Sequence, residues 1–359
     1  LGHLPGERGG HRGRGCILGE RGGFFLMIEA IAKLVRGESL TEVEAASSFE
    51  EIIRGDATPV QIAGFLVALR IKGETVEELT GFARTARAMA TPIAIDGALL
   101  DTCGTGGDGL ATFNISTLSA VVAAACGARV AKHGNRAASS LCGSADVLEQ
   151  LGVKIDLGPE GVARCIDEAG IGFLFAPIFH PSFRFAAVPR KELSMRTVFN
   201  VLGPLCNPAG ARYQALGVAD GKVAGKMADV LMRLGVEHAI VFHAGDGMDE
   251  LSVSGPSQVI EIDGRRKEYE LDPSELGLGR APVDAMRGGG PEENARIARE
   301  VLDGARGPQR DVVLLNSAAA LRAAGLAKDW VEGLGAGADA IDSGRAGEVL
   351  QRWATISQE

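Results

Sequence analysis

Asp101-Thr-Cys-Gly104-Thr-Gly106-Gly107-Asp108-Gly109, followed at once by Thr112-Phe-Asn114-Ile115-Ser116-Thr117, sets two anion-handling devices in tandem. Glycine at 104, 106, 107 and 109 lets the backbone take positive φ and brings its N–H groups close to a ligand, as a phosphate-cradling loop requires. Asn114, Ser116 and Thr117 stand where a helix should begin, because Leu118-Ser-Ala-Val-Val-Ala-Ala-Ala-Cys126 is a run of small, helix-competent residues. Capping side chains and free N–H groups at a helix N-terminus form a second anion site. The pair asks for a ligand with two phosphate-bearing ends, or one phosphate and one diphosphate.

Gly104-x-Gly106-x-x-Gly109 satisfies the dinucleotide fingerprint too, and a purely structural glycine-rich turn is the plainer alternative. Asp108 sits inside the loop, where it would repel a bare pyrophosphate, and the helix is expected about eight residues after Gly109 rather than at it. Where an acidic ribose partner should follow, the chain has Arg129. Phosphate binding without a dinucleotide is the better reading.

Next along the chain, a short β-branched run from Arg129 delivers Lys132 and His133 to a polar turn with Gly134, Asn135, Ser139 and Ser140. Ser144 or Asp146 then opens another helix. Further on, Asp246, Asp249 and Glu250 follow a candidate strand at 239–243 on a glycine-containing loop. Hard oxygen donors of this kind suit magnesium shared with a substrate phosphate. Adjacent acids are common on surfaces, but placement beyond a strand end in a chain with two phosphate sites favours the metal reading.

Before the loop the pattern is helical. Ile28, Ile31, Leu34 and Val35 form one stripe; Thr41-x-x-Glu44 opens a second helix carrying Val43, Phe49, Ile52 and Ile53 and ending near Gly55. Thr58-Pro59-x-Gln61 and Thr75-x-x-Glu78 are two more helix starts of the capping-box type. This is a small helical domain whose stripes serve as core or dimer contact. After Pro92 the period changes. Candidate strands at 98–103, 129–131, 153–157, 171–175, 213–218, 239–243, 259–262 and 312–315 alternate with helices such as 161–169, 224–234, 291–302 and 317–324. Such alternation gives an α/β domain with a central, mostly parallel sheet flanked by helices, whose ligands bind beyond the carboxyl ends of the strands. The segment 177–208 does not alternate; it reads as helix, helix, proline-rich turn.

A net charge of −9 argues against a nucleic-acid surface. The six cysteines show no zinc spacing and fit free thiols in a reducing cytoplasm. No apolar run approaches the roughly 18 to 20 residues of a membrane helix. Residues 1–26, rich in Gly and Arg with Met27 the first methionine, are expected to be a disordered leader or an over-extended reading frame.

Gly104-Thr-Gly-Gly-Asp108, Asn114-Ile-Ser-Thr117, Lys132-His-Gly-Asn-Arg136 and Gly143-Ser-Ala-Asp-Val-Leu-Glu149 together resemble the anthranilate phosphoribosyltransferases of tryptophan biosynthesis. The resemblance runs from Met27 to the C-terminal region. It implies a discontinuous helical domain, 27–97 with 178–206, and an α/β domain, 98–177 with 207–359, with the active site in the cleft between them. It implies that Gly104, Gly107, Asp108, Thr112, Asn114, Ile115, Ser116, Thr117, Lys132, His133, Gly134, Asn135, Ser139, Ser140 and Ser144 hold 5-phosphoribosyl 1-diphosphate. Ser116, Asp249 and Glu250 would ligate two Mg²⁺ ions. Gly104, Asn135, His180 and Arg190 would bind anthranilate, with the Arg190 guanidinium facing its carboxylate. Lys132, Asp108 and Asn135 would take a direct part in catalysis. The acceptor amine is neutral at pH 7, so His133 and His180 are expected to line or position rather than transfer protons. A homodimer through the helical domain is implied as well. Leu141-Cys142 departs from the lysine and small hydroxyl residue usual in the family. Pyrimidine nucleoside phosphorylases share the architecture, but their substrates bring no diphosphate and leave Asp249-Glu250 without a purpose. A nucleic-acid-binding relative would need a basic groove.

Overall fold

A computed structural model describes residues 26–137 and 140–359. The expectations for the leader, Leu26 excepted, and for Ser139 lie outside the described residues.

Three of the first four helices start as their capping residues dictate. They are α1 Met27–Val35, α2 Glu42–Arg54, α3 Pro59–Lys72 and α4 Val76–Ala88. Thr41, Thr58 and Thr75 each accept from the third helical amide, while Glu44, Gln61 and Glu78 reach back to the capping residue's own N–H. Gly55 ends α2 in the left-handed region at φ +82°. The stripe expected on α1 needs correction. Met27, Ala30 and Leu34 are its buried face, whereas Ile28 and Val35 are 64% and 72% exposed. Val43 of α2 is exposed too. Rotating α1 to bury Met27 carries Ile28 and Val35 to the far side, because residues one apart diverge by about 100° on a helix.

The remaining elements alternate. They are β1 Leu100–Gly104, α5 Ile115–Ala125, β2 Val130–Gly134, α6 Ser144–Gln150, α7 Pro159–Ala169, β3 Ile171–Phe175, then the helical insert α8 Ala176–Phe179, α9 Arg184–Leu193 and α10 Phe199–Leu202. After these come β4 Tyr213–Gly217, α11 Gly221–Arg233, β5 His238–Ala244, β6 Ser257–Asp263, β7 Arg266–Leu271, α12 Pro291–Leu302, α13 Pro308–Ala323, α14 Trp330–Asp342 and α15 Arg345–Ser357. The sheet order is β3-β2-β1-β4-β5-β6-β7, parallel through β5 and antiparallel from β5 to β7. The chain steps outward from β1 to β3 and returns at β4 on the other side of β1. That reversal opens a crevice at the carboxyl ends of β1 and β4, where α/β sheets bind ligands.

Two candidate strands are absent. Val312–Leu315 lies inside α13, buried on all sides. A short apolar run cannot separate a buried strand from a buried helix, and Gly307-Pro308 supplied the helix start. Residues 153–157 do alternate, with Val153 and Ile155 buried, but the Lys154 amide donates to the Ser357 hydroxyl at 2.9 Å rather than to a strand. β7 was not foreseen. Its charged residues suit an exposed edge, and the signal for it was Asp263-Gly264, a hairpin dipeptide with Gly264 at φ +63°.

The insert packs back onto the first helices. Phe183 and Phe199 meet Phe49 at ring-centroid distances of 6.0 and 5.6 Å. The apolar core under α1 to α4 takes in Ala186, Val198 and Leu202 from the insert and continues into α11 and the sheet.

Candidate active site

β1 ends in the glycine loop, and Thr105 pins the start of that loop to β4. The Thr105 amide donates to the Gly217 carbonyl at 3.0 Å, and the Thr105 hydroxyl accepts from the Ala219 amide at 3.0 Å, tying β1 to β4. Gly104 and Gly217 are register partners, and both must be glycine for Asp249 to come so close. A Cβ at Gly104 would run into the Asp249 carboxylate, and one at Gly217 into its backbone carbonyl.

Asp249 and Glu250 arrive from the loop after β5. Leu251, the next residue, is anchored by paired 2.9 Å hydrogen bonds with the Asn316 amide on α13. Asp249 Oδ2 accepts from the Gly106 amide at 2.6 Å, and Glu250 Oε1 accepts from the Ser116 amide at 3.0 Å, at the start of α5. The two carboxylates thus stand on one amide from each of the two anion devices. Asp246 has a different role from that expected. Its oxygens accept from the Met248 amide and from the Ser252 and Ser254 hydroxyls, so it builds the loop.

Burial raises both Asp249 and Glu250, and neighbouring carboxylates, Asp108 on Asp249 and Asp249 on Glu250, raise them further. Asp108 Oδ1 accepts from the Leu110 amide at 3.1 Å, while Oδ2 is buried without a partner. Confined anionic oxygens that repel one another fit a hard divalent cation. No group of three His, Cys, Asp or Glu among the described residues could hold an ion by itself. Magnesium characteristically takes one or two carboxylates and fills its octahedron with water and substrate phosphate, so this donor set suits it.

Lys132, near the end of β2, is 2% exposed. Its Nζ donates to the Thr102 carbonyl at 2.5 Å and to Ser116 Oγ at 3.3 Å. Burial lowers it, and Asp101, Cys103 and Glu250 pull the other way. Beneath it Asp101 Oδ1 accepts from the His133 amide at 3.1 Å.

Helix α5 starts at Ile115, sooner after Gly109 than expected. Asn114 flanks it without capping it. Its Nδ2 donates to the Cys142 carbonyl and its Oδ1 accepts from Asn294, so the residue braces the loops around the helix start. Thr117 Oγ1 is buried and unpartnered. Ser144 Oγ donates to the Asn135 carbonyl at 3.2 Å, and Asp146 accepts from the Ala137 and Gly143 amides at 2.9 Å, closing the β2 turn.

A cavity of about 320 Å³ gathers these groups. Gly104, Gly107, Asp108, Thr112, Asn114, Ile115, Ser116, Thr117, Lys132, His133, Gly134, Asn135, Ser140, Ser144, Asp249 and Glu250 all line it. Arg136, Gly143 and Asn200 line it too and were not anticipated. Asn200 comes from α10, in the insert, and nothing in local sequence signals a contact with loops that far away.

His180 and Arg190 do not line that cavity. They stand behind it with the aromatic residues of the insert. His180 stacks on Phe183 at 4.8 Å, its Nε2 meets the Cys206 carbonyl at 2.9 Å, and its ring lies 5.2 Å from that of His133. The Arg190 guanidinium lies 4.7 Å over the Phe199 ring, and burial lowers it. Arg190 makes no ion pair with any described residue, so a half-buried cation is left open to an anion.

Burial pushes His133 down to about 3, helped by His180, and His180 to about 4. Both imidazoles are neutral in the folded protein at neutral pH, in line with positional roles. An unfolded histidine titrates near 6.5, so below that pH the unfolded chain binds more protons and folding loses stability. Thermal melts should therefore show stability falling as pH drops from about 6.5 toward 4. His133→Asn should flatten that dependence; an unchanged slope would mean that the imidazoles are not held neutral.

Two family descriptions match the chain: "Glycosyl transferase family, helical bundle domain" over residues 28–90, and "Glycosyl transferase family, a/b domain" over 96–347. Anthranilate phosphoribosyltransferase 2 of Streptomyces coelicolor is 58% identical over 320 residues, 89% of this chain and 96% of that protein. The crystal structure of anthranilate phosphoribosyltransferase from Thermus thermophilus superposes with a TM-score of 0.88 at 46% identity, over 92% of this chain and 99% of that one. The Saccharomyces cerevisiae enzyme in complex with PRPP (5-phosphoribosyl 1-diphosphate) and Mg gives 0.85 at 28% identity, over 92% and 98%. In complex with 4-fluoroanthranilate it gives 0.84 at 27%, over 92% and 97%. On the strength of these matches across both of its parts, the chain belongs to the anthranilate phosphoribosyltransferase family.

Proposed function

We propose that this protein transfers the 5-phosphoribosyl group of 5-phosphoribosyl 1-diphosphate to the amine of anthranilate, giving N-(5-phosphoribosyl)anthranilate and diphosphate for tryptophan biosynthesis. The observation that carries the reading is the pairing of Asp249 with the Gly106 amide and of Glu250 with the Ser116 amide. A metal-binding carboxylate pair thereby touches both anion devices, as a substrate with phosphate at two ends demands.

Mg²⁺, when bound, neutralises the charge that builds on diphosphate as it leaves the anomeric carbon. Ser116, Asp249 and Glu250 would hold two ions. Lys132 adds a fixed positive charge in a water-poor site, where such charge counts for more than it does in water. The Gly107 loop and the start of α5 supply amides to the phosphate oxygens. Thr112, Asn114, Ile115, Thr117, His133, Gly134, Ser140 and Ser144 shape the remaining walls. Asp108, beside Asp249, orients the metal side of the loop.

As the bond to diphosphate lengthens, the sugar gains oxocarbenium character, and the neutral aniline nitrogen attacks without a strong base. Once the C–N bond has formed, the now acidic nitrogen gives its proton to solvent. Gly104 and Asn135 would steady the amine, while Arg190, backed by His180, would take the carboxylate. The unpaired guanidinium beside Phe199 supports that assignment, since burying it without an anion is costly.

The division into 27–97 with 178–206 and 98–177 with 207–359 belongs to the same reading, supported by the packing of the insert on α2 and α3. So does a homodimer through the helical domain, supported by the exposed Ile28, Val35, Val60 and Ile71. The free thiols among the described residues suit a reducing cytoplasm. No helix among the described residues is long and apolar enough to cross a membrane. Mixing the protein with anthranilate, the diphosphate-activated ribose and Mg²⁺ should consume anthranilate and release diphosphate in equal amounts; anthranilate left intact with no diphosphate released would contradict the proposal.

A further inference from the structure

The glycine loop is gripped from outside the cavity by a side chain that the mechanism above does not use. Arg196 lies in the connection between α9 and α10, just past Ser194, which turns the chain at φ +48°. Its Nη1 donates to the Gly107 carbonyl at 2.7 Å, and its Nη2 to the Gly106 carbonyl at 3.1 Å. No carboxylate among the described residues pairs with it, so its charge is directed at these two peptide dipoles.

In a trans peptide the N–H points opposite to the C=O, and no peptide among the described residues is cis. Holding the Gly106 carbonyl therefore aims the Gly107 amide away from Arg196, and holding the Gly107 carbonyl does the same for the Asp108 amide. Neither amide donates to another described residue, and both residues line the cavity. A cation on the carbonyl side also polarises the peptide and sharpens the N–H as a donor. Gly106 and Gly107 hold φ of +67° and +75°, and a Cβ on Gly107 would lie 2.5 Å from Arg196 Nη1. The loop is therefore shaped to admit this guanidinium.

We propose that Arg196 is a positioning residue for phosphoribosyl transfer: by holding the Gly106 and Gly107 carbonyls it presents the Gly107 and Asp108 amides to the diphosphate end of the ribose substrate. The end is fixed by Gly106, whose own amide sits on Asp249 of the carboxylate pair. This rests on the function proposed above.

The test compares wild type, Arg196→Ala and Arg196→Lys by calorimetric titration with Mg²⁺ and inorganic diphosphate, and by the KM of each substrate. Arg196→Ala should weaken diphosphate binding about 10- to 30-fold and raise the KM for the ribose substrate by a similar factor, the scale for losing charge-assisted hydrogen bonds. The KM for anthranilate and the melting temperature should hardly move. Arg196→Lys, a point charge able to reach one carbonyl, should recover part of the loss. Unchanged diphosphate affinity in Arg196→Ala would overturn the proposal. Equal losses in both variants with a lowered melting temperature would also overturn it, by making the contact merely structural. Because the titration needs no turnover, wild type that binds diphosphate without consuming anthranilate would sink the transferase reading and still leave Arg196 decided.

Discussion

Replacing the acid pair by its amide isosteres, Asp249→Asn with Glu250→Gln, should lower Mg²⁺-dependent turnover by roughly 10³-fold or more, the scale for removing preorganised electrostatic stabilisation from a transition state. The amides keep an oxygen for the Gly106 and Ser116 N–H groups, so the loops have no reason to collapse. What they lose is charge. Burial first, and then repulsion among these carboxylates and Asp108, pushes both up and makes the charged pair costly without the metal. Removing that repulsion should leave the melting temperature of the metal-free protein equal to or above wild type. Lost turnover with undiminished stability separates metal binding from misfolding. Retained Mg²⁺-dependent turnover would place the metal elsewhere.

Arg190→Ala should raise the KM for anthranilate roughly 30- to 100-fold, the scale for truncating one partner of a buried charge pair. The KM for the ribose substrate should stay close to wild type, because Arg190 does not line the cavity that gathers the groups proposed to bind phosphate. Its ring partner, Phe199, has no charge with which to replace the lost contact. Arg190→Lys should recover only part of the affinity, since an ammonium cannot offer the fork that matches a planar carboxylate. Equal effects on both substrates would remove Arg190 as the carboxylate partner.

The parts of this protein legible in its sequence are those fixed by local chemistry. Thr41, Thr58 and Thr75 announced three helices because a capping box is complete within four residues. The glycine loop and the start of α5 were legible for a similar reason, since glycine and small polar residues state their purpose over a few positions. Val312–Leu315 misled because a fully buried helix and a fully buried strand show the same apolar run. The exposed Ile28 and Val35 misled because only the packed structure decides which side of α1 faces inward. Within the site, the cavity-lining residues came from motifs, whereas the grip of Arg196 on Gly107 joins residues far apart in the chain. Such contacts arise from the sheet order and the return of the insert, which no local pattern encodes.

Anthranilate is fluorescent, and attaching ribose to its amine removes that signal. The most direct test of phosphoribosyl transfer is therefore the fluorescence of anthranilate mixed with purified protein, 5-phosphoribosyl 1-diphosphate and Mg²⁺, with one component omitted at a time and EDTA added in parallel. The account predicts a steady fall that requires all three components together with the protein and stops with EDTA. A folded protein that leaves the signal unchanged, or lowers it without the diphosphate substrate, would contradict it.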